Sequence, residues 1–99
     1  KLIGRFESAG YECALSKLEE SDPERDVPIY NASVWHRLMA DGEEILVYFD
    51  ESNRADYLSG LIDEEKYGYV TRFGLRFVLV YQGDDAEVLK VLESLQDAA

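Results

Sequence analysis

The dipeptide Asp41-Gly42 stands between two runs in which apolar and polar residues alternate, "IYNASVWHRLMA" and "EEILVYF". A two-residue turn of the I′ type needs positive φ at both central positions, and Asp-Gly supplies it with little steric cost. With period-two patterning on both flanks, the segment is expected to fold as an antiparallel hairpin. Gly74 divides a second pair of such runs, "YGYVTRF" and "RFVLVY". Two hairpins, each with one apolar face, must join into a sheet and have that face covered.

The cover is legible as three amphipathic stretches. Leu2, Ile3, Phe6 and Ala9 recur at helical spacing, with Gly10 as a stop. In "DESNRADYLSGLI", Ser52 or Asn53 is placed to cap a helix that presents Ala55, Leu58, Leu61 and Ile62 on one side. At the end, Val88, Leu89, Leu92 and Leu95 form the third stripe. Tyr11, Cys13 and Leu15 add a strand-spaced segment after the first helix, "EESDPERDVP" reads as an exposed loop, and "DEEK" as a turn. The expectation is one α+β domain over residues 1–99. It is a two-layer sandwich in the order α-β-β-β-α-β-β-α, with an antiparallel sheet of four to five strands and three helices. A faint echo, "LVYFDESNRADYLSGL" against "LVYQGDDAEVLKVLESL", is two hairpin-plus-helix units rather than a solenoid.

Charge narrows the function more than patterning does. Twenty-one acids against ten bases give a net charge of −11, which repels nucleic-acid phosphates and anionic membrane surfaces. A nucleic-acid reader is therefore not expected, while a cationic partner or a divalent cation stays open. The longest apolar runs, Ile45 to Phe49 and Phe77 to Tyr81, are too short to cross a bilayer. The single cysteine, Cys13, cannot form an internal disulfide.

Gly83-Asp84-Asp85 opens a helix as a phosphate loop does, yet lacks the several glycines and the lysine such a loop uses. Asp84 with Glu87 reads instead as a carboxylate capping box, its charges favoured by the helix dipole. A calcium site is the alternative reading. It would draw on Asp50, Ser52 and Asn53 at the first strand-to-helix junction and Asp84 and Asp85 at the second, provided the junctions lie side by side. Cys13 and His36 are the only thiol and imidazole, and neither has metal-ligand spacing. With no catalytic constellation and no cofactor motif, the chain is read as a non-enzyme. The aromatic and basic residues of the second hairpin, Tyr67, Tyr69, Arg72, Phe73 and Arg76, are the expected contact face for a partner.

"RFGLRFVLVYQG" followed by "AEVLKVLESL" resembles the end of the ureidoimidazoline decarboxylases, but brings none of their active-site residues, and hairpin-forming sequence does not suit their helical fold. Nearly the whole chain is similar to a loosely defined set of small bacterial lipoprotein domains. The likeness rests on the leading "LIGRFESAGYEC", the "GEEILVYFDESNRADYL" unit and the closing "LVYQGDDAEVLKVLESL", whose strand ends Tyr-x-Gly-acid-acid before a Leu-rich helix. The resemblance implies an extracytoplasmic, envelope-associated interaction domain, tethered by a lipidated Cys upstream of Lys1. It carries over no catalytic residue.

Overall fold

The computed structural model describes residues 2–95. Five strands form one antiparallel sheet: β1 (Cys13–Lys17), β2 (Trp35–Ala40), β3 (Glu43–Phe49), β4 (Tyr69–Phe73) and β5 (Phe77–Tyr81), in the spatial order β1-β2-β3-β5-β4. The helices are α1 (Leu2–Ser8), α2 (Leu18–Ser21), α3 (Ala55–Ser59), α4 (Glu64–Tyr67) and α5 (Ala86–Leu95). The α+β class and the antiparallel five-stranded sheet follow the expectation. The helix count differs: among the described residues five stand where the patterning gives three, the additional ones being the four-residue α2 and α4.

Asp41 and Gly42 adopt φ of 49° and 85° and close the β2–β3 hairpin, with Ala40 paired to Glu43. The β4–β5 hairpin pairs Phe73 with Phe77 across Gly74, Leu75 and Arg76. β3 then pairs with β5, so Phe49 faces Phe77 and Leu46 faces Val80. This register welds the two hairpins into one sheet.

Because strand side chains alternate, the register sorts them onto two faces. Leu38, Ala40, Ile45, Val47, Leu79 and Tyr81 point to one face, where Leu2 and Phe6 of α1 and Val88, Leu92 and Leu95 of α5 cover them. Full burial of each such Leu or Val side chain contributes on the order of 1.5–3 kcal/mol. Trp35, Leu46, Val78 and Val80 point to the other face. There they meet Leu18 of α2, Val27 and Ala32 of the following loop, and Ala55, Leu58 and Ile62 in and just after α3.

This second apolar layer explains where the chain departs from its simple patterning. The acidic loop is strapped onto the sheet: Val27 is buried, and the indole N–H of Trp35 donates to the Ile29 carbonyl at 2.9 Å. Asn31 caps a single 3-10 turn, Ala32–Val34, by accepting from the Ser33 N–H. β2 therefore begins at Trp35 rather than at Ile29. α3 stops at Ser59, which leaves Leu61 outside the helix and 55% exposed instead of on its buried side. "DEEK" is helical rather than a plain turn, because Asp63 accepts from the Glu65 N–H and caps α4.

Candidate binding groove at the open end of the sheet

The Gly83-Asp84-Asp85 junction is held by Tyr81, the last residue of β5. The Tyr81 ring is fully buried; its hydroxyl donates to Glu43 Oε1 and accepts from the Asp85 N–H. A β-carbon on Gly83 would lie 2.5 Å from Cζ and Oη of that ring, so only glycine fits over it. Asp85 Oδ1 accepts from the N–H groups of Glu87 (2.9 Å) and Val88 (3.2 Å), while Asp84 is exposed. The capping carboxylate is thus Asp85, one residue later than the Asp84–Glu87 pattern suggests. A phosphate would have to displace it.

At the other junction Asp50 is buried. Its carboxylate accepts from the Arg54 N–H (2.5 Å), the Ser52 N–H (3.4 Å) and the Arg54 guanidinium (3.4 Å). Burial alone would raise its pKa, but these hydrogen bonds outweigh it and hold the group below the usual carboxylate range. Neither Ser52 nor Asn53 caps α3; Asn53 Oδ1 accepts from Arg76 Nε instead. The two junctions do not meet. β3 and β5 are antiparallel, so Asp50 lies beside Arg76 at the start of β5, whereas Asp84 follows its end. The five residues of β5 put about 17 Å between those ends. The single calcium site drawn from Asp50, Ser52, Asp84 and Asp85 is not assembled, and among the described residues no group of three or more His, Cys, Asp or Glu is gathered to hold a metal ion.

The expected contact face on the second hairpin is divided in the same way. Tyr69 and Phe73 pair with Tyr81 and Phe77 and pack at the margin of the α1/α5 core. Arg72 turns to the opposite face, where Nε approaches Asp56 at 3.6 Å. Tyr67, in α4, donates to Asp26, and Lys66 lies over its ring. Of the five residues only Arg76 is exposed, the others being half-buried. Strand alternation and the covering elements take up four of these side chains in part, while Arg76 stays exposed beside Asn53.

Cys13 and His36 share a face but not a site. Cys13 pairs with Ala40 and His36 with Lys17, so four residues of strand, about 13 Å, separate them. Burial first, then Glu7 and Asp41, raise the Cys13 pKa, opposite to what an activated thiolate requires.

The concave apolar surface lies elsewhere. α1 and α5 leave part of their face open as a groove of about 280 Å³. Leu38 and Val47, both buried, form its floor, and Leu2 and Ile3 of α1 line it on the helix side. Leu15 of β1 and Phe49 of β3 stand at its margin, 51% and 40% exposed, with Phe77 and His36 completing the lining. The rings of Phe49 and Phe77 are 5.3 Å apart, and Phe73 lies 6.2 Å beyond Phe77. No family model, curated protein or solved structure matches this chain.

The groove draws on α1 and four strands, and its marginal residues had appeared in the sequence only as strand periodicity. In the folded protein a seven-residue helix and a ten-residue helix cover the apolar side of the five strands, and part of that side stays open as the groove.

Proposed function

We propose that the protein is a non-catalytic binding module that holds an apolar group, from a small ligand or from a partner's side chain, in the groove beside α1. The observation that carries this reading is the exposure of Leu15 and Phe49 around a buried apolar floor, the kind of concave lining that binding sites use. The absence of a catalytic role is supported by the separation of Cys13 from His36 and by the raised thiol pKa. An extracytoplasmic position at the cell envelope is part of the same proposal and rests on the resemblance of the sequence to small bacterial lipoprotein domains. No helix among the described residues is long and apolar enough to cross a membrane.

Titration with the apolar dye N-phenyl-1-naphthylamine tests the reading. The wild-type protein is expected to give a saturable rise in fluorescence. Leu15→Glu, at an exposed position, should bind at least about tenfold more weakly, since a carboxylate would enter the groove margin, while its melting temperature stays within a few degrees. Equal binding by Leu15→Glu would contradict the assignment.

A further inference from the structure

The charges around the groove differ from those of the molecule as a whole. The chain carries −11, yet among the described residues no Asp or Glu lines the groove, and the one ionisable lining residue among them is His36. Lys17 is paired directly with His36 across β1 and β2, which puts the two side chains next to each other on the same face. Arg25, Arg37, Arg54, Lys66 and Arg72 each have a carboxylate partner. Lys17 has none among the described residues, and neither have Arg5, Arg76 and Lys90; what sets Lys17 apart is its cross-strand pairing with His36, which lines the groove. The three N–H donors of an ammonium and a ring N–H therefore stand beside an apolar slot with no carboxylate among its described lining residues.

From this charge complementarity we infer that the occupant is a soluble single-chain amphiphile with a carboxylate head, its tail in the groove and its head at Lys17 and His36. The inference rests on the groove being the binding site and adds the chemistry of the ligand. An alkyl tail supplies most of the affinity by leaving water, and the head sets the preference among amphiphiles of equal length. A cationic head would meet Lys17, and a neutral one would leave its charge unanswered. An anionic bilayer is a poorer match than a free amphiphile, because the whole acidic surface would have to approach it.

Displacement of bound N-phenyl-1-naphthylamine by decanoate, decanol and decyltrimethylammonium separates these heads at constant tail length. Decanoate should displace the dye at about three- to tenfold lower concentration than decanol, a range set by a partly exposed charge-assisted contact, with decyltrimethylammonium weakest. Lys17→Gln should abolish the advantage of decanoate while leaving decanol unchanged, and Lys17→Arg should restore it. Equal displacement by decanoate and decanol, or an unchanged preference in Lys17→Gln, would overturn the head-group assignment and leave the groove standing. Dye that binds but is displaced by none of the three would overturn the amphiphile as occupant. Failure of the dye itself to bind would remove the groove reading as well. Co-sedimentation with phosphatidylglycerol vesicles in preference to free decanoate would overturn the choice of a soluble ligand.

Discussion

Tyr81 is clamped by glycine on two sides. Its ring lies where a Gly83 side chain would be, and its carbonyl lies against Gly68, whose φ of 103° and proximity to the Tyr81 and Gln82 backbone leave no room for a β-carbon. The phenol between them joins β5, β3 and the start of α5 through Glu43 and Asp85. Burial first, and the hydrogen bond to Glu43 second, push the Tyr81 pKa from 10.0 up to about 12. The unfolded chain releases this proton near pH 10 and the folded protein near pH 12, so between those values the unfolded state binds fewer protons and stability falls as pH rises. Below pH 10 the contribution is fully present. Thermal melts across that window should show a steeper loss for wild type than for Tyr81→Phe, which keeps only the alkaline sensitivity of raised groups such as Tyr11 and Tyr48. Parallel curves would remove Tyr81 from the account.

At the scale of elements, the two strand-to-helix junctions use carboxylates in different ways. Asp85 caps α5 from the usual position, whereas Asp50 reaches forward four residues to the Arg54 N–H at the start of α3. Asp85→Ala should cost about 1 kcal/mol, in the range of lost helix caps, or about 4–8 °C in melting temperature for a domain of this size. Asp84→Ala should cost little, and the reverse order in paired melts would restore the Asp84 capping box. The sequence made a carboxylate cap visible but not its register, because Asp84 and Asp85 are locally equivalent. What separates them is the bond from the Asp85 N–H to the Tyr81 hydroxyl, whose position is set by the burial of the Tyr81 ring in the core. The same division runs through the fold. The Asp41-Gly42 turn is a local matter of φ and was legible from the dipeptide alone. The strap from Val27 to Val34 depends on Trp35 and Leu46 beneath it, which no short-range pattern reports.

At the scale of the whole molecule, chain path decides what can be a site. Antiparallel pairing of β3 with β5 sends the two acidic junctions to opposite ends of the sheet, and alternation along β4 divides the aromatic and basic hairpin between its two faces. The same pairing brings Val47, Phe49 and Phe77 together beside β2, next to a first helix too short to cover them. The site was illegible in the sequence because its members are spread from Leu2 to Phe77 and become a surface only once the strand order is fixed. The most direct test is a methyl NMR titration with N-phenyl-1-naphthylamine, whose ring currents mark the groups it touches. Methyl signals of Leu2, Ile3, Leu15, Leu38 and Val47 should move along one saturation curve, while those of Val70, Thr71 and Leu75 stay in place. Shifts confined to Val70, Thr71 and Leu75, or an absence of saturable shifts, would contradict the account.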